Sequence, residues 1–428
     1  MKAMKAERYA AYEDSGTDWI GEVPEKWRIV RLKDLGFLQN GISKSGDYFG
    51  FGSPFISYGN VYNNTISLEK IKTYANSTLE DQQAYSCRKG DVFFTRTSET
   101  IEEIGFSATC LQTIPKSVFS GFVIRFRPTS KALTKEFSKF YFSANILRAF
   151  FTKEVAIVTR ASLGQGLLNK LPVILPPLSE QTAIVAYLDT KTAQIDRKID
   201  LLGKKAMQYS KLKQSLIYEI VTRGLDKSVP MKDSGVNWIG KIPQHWMLLR
   251  LKDIADIKKG EVFDFDTDVG DVPYLNGGMT PSAYSHKSNM PSGVIAVSEG
   301  GASSGYTQFM NVPFWCGAHC YAISPRTKGK KYLFYCIKGY EHVLTELKTG
   351  SAMPNLKKSE ISNFSIPVSK NYEEQNFIAN YLDAKTAKID CIVSAIRNQI
   401  DKLKDLRKAL INDVVTGKLK VLSEALAV

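Results

Sequence analysis

Six cysteines and four histidines carry the most reactive side chains of this 428-residue chain, and their tightest group is Cys316-Gly317-Ala318-His319-Cys320. Soft ligands at that spacing suggest zinc, but a structural site takes four, usually as two spaced pairs, and no second pair occurs. Small half-buried strand residues are the simpler reading of the segment. The other histidines, His245, His286 and His342, stand in no relay-like arrangement. Asp264, Asp266, Asp268 and Asp271 set four carboxylates at mostly alternate positions. They lack the glycine and terminal glutamate of an EF-hand loop, so a solvated acidic turn is expected there rather than calcium. No GxxxxGK[ST] phosphate loop occurs, which argues against ATP hydrolysis. No Asn/Asp-Pro-Pro-aromatic stretch is there to hold a flipped adenine, and the lone Gly164-Gln165-Gly166 reads as a turn. Intrinsic catalysis and a metal site are therefore not expected.

Binding is better supported. Lys plus Arg number 57 against 43 Asp plus Glu, a formal charge of +14 with pI near 9.2. A surplus of that size attracts polyanions: nucleic acid, an anionic membrane face or acidic proteins. Apolar stretches are all broken by charge well short of the roughly 18–20 residues of a membrane span. The start, MKAMKAERYAAYED, puts Lys and Glu where a signal peptide has its apolar core. Cysteines without a paired framework predict reduced thiols. A soluble cytoplasmic protein is expected, and at roughly 100–200 residues per domain it should have two to four domains.

Those elements repeat. Residues 14–34, DSGTDWIGEVPEKWRIVRLKD, recur as DSGVNWIGKIPQHWMLLRLKD at 233–253, aligning Trp19 with Trp238, Pro24 with Pro243 and Trp27 with Trp246. Residues 180–196, EQTAIVAYLDTKTAQID, recur as EQNFIANYLDAKTAKID at 374–390, and EIVTRGL (219–225) recurs as DVVTGKL (413–419). The paired blocks enclose two inserts of unequal length, about 35–178 and 254–372, whose sequences look unrelated. Such a pattern suggests one framework presenting two different readers. A duplicated enzyme would repeat its catalytic motif, and none repeats. The four tryptophans are expected to serve packing.

The block after each insert carries a seven-residue frame. In the first copy Val185, Thr192, Ile199, Ala206, Lys213 and Ile220 alternate with Leu188, Ile195, Leu202, Tyr209 and Leu216. In the second, Ala379, Thr386, Val393, Ile400, Arg407 and Val414 alternate with Leu382, Ile389, Ile396, Leu403 and Leu410. That spacing is a coiled-coil seam. Ser179 or Glu180 is expected to cap the first helix, and Gly224 to end it. Some 40 residues of helix, roughly 60 Å at 1.5 Å per residue, need a partner for their apolar stripe, and the simplest partner is the other copy. Lys213 and Arg407 occupy equivalent seam positions; they either fix register or reach out to solvent, and the second is the expectation.

Both inserts read as compact α+β domains. Short apolar runs punctuated by Gly, Pro and Asn signal strands and turns, and each insert has one helical stretch, about 131–150 and about 330–347. Basic residues outnumber acidic ones by 16 to 10 across 35–178 and by 12 to 10 across 254–372.

The repeated DSGxxWIGxxPxxWxxxRLKD, the LPPLSEQ that closes the first insert and the AYLDxKTAxID that follows resemble the specificity subunit of type I restriction–modification systems. The resemblance spans 14–225 and 233–419; the second copy departs at 366–375, where IPVSKNYEEQ stands for ILPPLSEQ. It implies an α+β chain with two similar β-rich target recognition domains, separated by a pair of long antiparallel coiled-coil helices in a pseudo-twofold internal repeat. Residues 1–178 would form the first constant segment and recognition domain, 179–226 the central helix, 227–372 the second constant segment and domain, and 373–428 the C-terminal helix. It further implies that each domain reads half of a bipartite, asymmetric site on double-stranded DNA, that the chain is not itself an enzyme, and that it assembles with two methyltransferase subunits and with restriction/translocase subunits. S-adenosylmethionine, ATP and magnesium would belong to those partners, with no cofactor on this chain. The alternative is a stand-alone DNA-binding or scaffold protein without a methyltransferase.

Under that resemblance, Lys and Arg supply phosphate contacts and polar loop residues read base edges. The candidates in the first domain are Lys44, Ser45, Tyr58, Asn60, Arg96, Thr97, Ser98, Arg160, Ser162, Gln165 and Asn169. In the second they are Asn276, His286, Lys287, Ser303, Ser304, Tyr306, Lys348, Ser351 and Asn355.

Overall fold

The computed structural model describes residues 7–98, 103–154, 161–263, 270–348 and 355–421. Of the residues singled out above, Arg160, Ser351, Asp264, Asp266 and Asp268 lie outside those ranges. The chain divides into two compact units, one of residues 1–201 with 399–428 and one of residues 202–398. The division cuts both long helices, so each unit contains the start of one and the end of the other.

In the first unit a five-stranded sheet runs in the order Gly36–Asn40, Val123–Pro128, Val92–Thr95, Ser107–Cys110, Thr65–Ile66, with only the last pair parallel. Side chains alternate across a strand, and both faces of this sheet are covered. Val92, Phe94, Ile124 and Phe126 pack on a helical layer that includes Phe137, Tyr141 and Phe151. Phe93, Val123, Ala108 and Cys110 face the opposite way, onto Ile56 and Phe119 of a smaller sheet. The helical stretch foreseen at about 131–150 is two helices, Lys135–Tyr141 and Ile146–Glu154. The side-chain oxygen of Asn412 receives the Ile146 N–H at the start of the second, at 2.9 Å.

The second unit repeats this plan from a different sequence. Its sheet runs Ala255–Lys259, Cys320–Pro325, Val294–Ser298, Thr307–Met310. A three-stranded sheet again places one parallel pair, Val272–Leu275 with Trp315–Cys316, where the first unit has Phe49–Ile56 with Val118–Phe119. Its helical stretch likewise breaks in two, at Tyr340, between Lys330–Gly339 and Glu341–Glu346. Cys316 and Cys320 are buried strand residues, and burial pushes their thiols up to about 12 and about 11.

The two long helices are Leu178–Arg223, 46 residues, and Tyr372–Val415, 44 residues. Every seam position named above is buried or half-buried in both. Within the first unit, Val185 and Leu188 share a core with Leu410, Ile411 and Val414, while Arg407 pairs with Asp196 at 3.1 Å. Within the second, Leu216, Ile217 and Ile220 share a core with Ile378, Ala379 and Leu382, while Lys213 pairs with Asp390 at 2.6 Å. One helix ascends in number as the other descends, so the pairing is antiparallel. Lys213 and Arg407 therefore do not simply reach out to solvent: each meets an aspartate on the opposite helix, and the two aspartates occupy equivalent positions in the repeated block. No helix among the described residues is long and apolar enough to cross a membrane.

The constant segments fasten each reader to its helices. Trp27 and Trp246 are almost fully buried, and their indole N–H groups donate to Glu180 at 3.0 Å and Glu374 at 3.1 Å. Glu180 also accepts the Tyr9 hydroxyl at 2.8 Å, so it serves the tryptophan rather than the helix cap. The adjacent glutamines are buried as well. Gln181 donates to the Pro176 carbonyl at 3.0 Å and Gln375 to the Ser369 carbonyl at 2.7 Å, tying down the chain that enters each helix. The conserved-in-repeat Glu-Gln dipeptide is thus a double anchor.

Candidate nucleic-acid interface

Strand ends and turns are where a rigid sheet can offer side chains to a ligand. In both readers several loops converge at the end of the central strand, and one backbone frame holds them. In the first, Arg96 N–H donates to Phe122 O at 3.0 Å, Leu163 N–H to Arg96 O at 2.7 Å, and Val123 N–H to Ser120 O at 3.0 Å. In the second, Glu299 N–H donates to His319 O at 2.9 Å, Leu356 N–H to Glu299 O at 2.8 Å, and Cys320 N–H to Gly317 O at 2.9 Å. Below them Thr95 N–H bonds Phe106 O at 2.8 Å, matched by Ser298 N–H to Tyr306 O at 2.9 Å. Gly41 and Gly260 share one constraint: an added Cβ would sit 2.2 Å from Ser120 O in one reader and 2.1 Å from Gly317 O in the other.

This frame gathers many of the sequence-chosen residues. Arg96, Thr97 and Ser98 lie on or beside a short strand that pairs with Ala161–Ser162, Thr97 opposite Ser162. Gln165 opens the short helix that follows, and Asn169 closes it, both half-exposed. The second reader builds the same crossing with an isolated bridge between Gly300 and Asn355. Ser303 donates to Gly277 O, and the Asn276 side chain accepts the His319 N–H at 3.1 Å, closing the edge.

Other candidates are placed differently. Asn60 is 8% exposed; its side chain accepts the Ser57 N–H at 2.9 Å and donates to Lys70 O at 3.1 Å. Ser304 is buried and donates to Glu299 O at 2.8 Å. Both are occupied in shaping their own loops. Lys44 pairs with Asp81 at 2.9 Å and lies over the Tyr48 ring; hydrogen bonding from its ammonium group holds the Asp81 carboxyl down at about 2. Ser45 precedes a single helical turn at 46–48. Tyr58 accepts a hydrogen bond from Tyr62 at 3.0 Å. His286 and Lys287 are exposed just after the strand Ala283–Ser285 of the smaller sheet. Lys348 is exposed. Tyr306 lies under the Lys338 ammonium, 4.3 Å from its ring centroid, lining a cavity of about 790 Å³.

The sequence reading passed over three residues of this edge: Phe122, Glu299 and, as a binding residue, His319. The signal for Phe122 and His319 is the turn that precedes an apolar strand, Ser120-Gly121-Phe122 in one insert and Gly317-Ala318-His319 in the other, while Glu299 directly follows the apolar strand Val294–Ser298. Glu299 is almost buried, yet it accepts Lys259 at 2.7 Å and the Tyr321 hydroxyl at 3.0 Å, with His319 Nδ1 3.9 Å away.

Comparisons with known proteins agree with this duplicated layout. A family model described as the type I restriction modification DNA specificity domain matches residues 24–227 and again 243–402. A Methanocaldococcus jannaschii protein described as the MjaX type I restriction enzyme specificity subunit is 23% identical, over 94% of this chain and 96% of its own length. The type I restriction enzyme EcoKI specificity subunit of Escherichia coli is 23% identical over 42% of each chain. A solved structure on complex assembly and conformational transition of the type I R-M system shares the fold, with a TM-score of 0.68 at 18% identity over 93% of this chain and 99% of that one.

Proposed function

The chain belongs to the type I restriction–modification DNA specificity family, and on that premise we propose that it reads a bipartite, asymmetric duplex site, one half-site per reader. The observation that carries this reading is a single backbone frame repeated with different side chains on it. Two readers of one shape but unlike surface chemistry suit two unlike half-sites. Phosphate contacts from the cationic surplus supply affinity and register, while side chains at the reader edges discriminate bases. The paired helices act as the ruler between half-sites and as the platform for two methyltransferase subunits and the restriction/translocase subunits. The chain performs no chemistry: S-adenosylmethionine, ATP and magnesium act on the partners, in the cytoplasm.

Two assays test this. Incubated with duplex DNA and labelled S-adenosylmethionine, the chain alone should transfer no methyl group, and adding the methyltransferase subunit should restore transfer. Methyl transfer by the chain alone would overturn its non-catalytic role. Inserting one base pair between the two half-sites should abolish tight binding, whereas tolerance of the insertion would overturn the ruler.

A further inference from the structure

The shared frame makes Phe122 and His319 the same residue of the two readers. Each is the last residue of a turn closed by the matched bonds at Ser120 and Gly317, and each gives its carbonyl to the residue at the end of the central strand. Both side chains leave the domain: Phe122 is 64% exposed and the His319 side chain 68%. The backbone hydrogen bonds on both sides fix this turn, so a large apolar ring held outside the core there is presented at a defined place to a ligand. What changes between the readers is the chemistry at and around this point. The first reader places Arg96, Asn40 and Ile124 where the second has Glu299, Lys259 and Tyr321.

We propose that this turn is the base-reading tip of each reader, with Phe122 making an apolar contact to a thymine methyl in one half-site and His319 a hydrogen bond to a base edge in the other. The proposal rests on the DNA-reading function above and adds which residue discriminates. Phenylalanine has no hydrogen-bonding group, and the thymine methyl is the one apolar mark on a base edge. His319 carries two ring nitrogens, one facing the Glu299 carboxylate, so the other is available to a base. Glu299, itself held by Lys259 and Tyr321, is a positioning residue for that imidazole. A rigid backbone with an exchangeable tip is the arrangement that lets specificity change while the fold is kept.

The test is selection from a library of randomised duplexes by the full chain together with its methyltransferase subunits. The wild type should enrich a bipartite motif containing a thymine that cannot be replaced by uracil without loss. Phe122→Ala should lower the preference at that one base pair about tenfold, in the range of a single mismatch, and Phe122→Leu should retain most of it. His319→Ala should flatten one column of the other half-site, with unchanged melting temperature and unchanged binding to non-specific DNA. Motifs unaltered by both alanine variants, or losses spread over both half-sites, would overturn the proposal. A wild type that enriches no bipartite motif would instead overturn the DNA-reading function, and the tip assignment with it.

Discussion

Glu180 and Glu374 show what a repeated residue is for. Each receives the N–H of a buried indole, so removing the carboxylate leaves that donor without its protein partner. Glu180→Ala and Glu374→Ala should each cost about 1–2 kcal/mol, read as a lowered melting temperature. Lys44 and Asp81 make a pH-dependent pair. The Asp81 carboxyl is held at about 2 against an ordinary 3.8. Its contribution is therefore present above pH 3.8 and lost as pH falls toward 2. Lys44→Met should move that carboxyl back toward 3.8 in an NMR titration; an unmoved value would contradict the pairing. The glutamates were visible in the sequence, since they sit in a repeated block, but their role was not, because the partner tryptophan lies some 150 or 130 residues earlier in the chain.

At the scale of elements, the paired helices and the α+β character of each reader were legible, and the residue-by-residue equivalence of the two readers was not. A seam that recurs every seven residues leaves its mark on each helix regardless of the partner, so Ile195, Ile199, Ile389 and Ile396 could be named from spacing alone. The readers agree in strand order, in one glycine contact and in backbone hydrogen bonds, none of which prescribes a side chain. Equivalent positions hold Phe122 and His319, or Arg96 and Glu299, and no comparison of residue types would align them. Asn60 and Ser304 illustrate a related point: their side chains hydrogen-bond within their own loops, as polar turn residues do. The helix ends offer a prediction that separates the two copies. Gly224 and Gly417 both adopt positive φ, +74° and +77°, so alanine at either is strained. At Gly417 the new Cβ would also lie 2.4 Å from Pro24 Cδ, whereas at Gly224 its nearest neighbour is 3.5 Å away. Gly224→Ala should cost about 1 kcal/mol, and Gly417→Ala clearly more, as measured by thermal melting. Equal costs would mean that the two helix ends are seated alike.

For the whole molecule, the internal repeat predicts that one half can serve twice. A fragment of residues 1–228 keeps one reader and one complete helix, and it lacks residues 399–428, which complete the first unit. The end of the same helix in a second copy carries nearly the same seam and can stand in for them. With the methyltransferase partner present to offset the lost tether, the fragment should form a twofold dimer that directs methylation to an inverted repeat of the first half-site. A folded monomer, or retention of the asymmetric site, would contradict this. Affinity of the intact assembly should fall with salt at a slope near −0.9 per phosphate neutralised; a salt-insensitive complex would mean that the +14 charge serves something else. The most direct test of two readers on one ruler is a genome-wide map of methylated adenine in cells carrying this chain and its methyltransferase partner. The expected result is one asymmetric motif of two short blocks separated by a fixed number of unspecified base pairs, lost when the chain is deleted. A single uninterrupted motif, or methylation that survives the deletion, would contradict it.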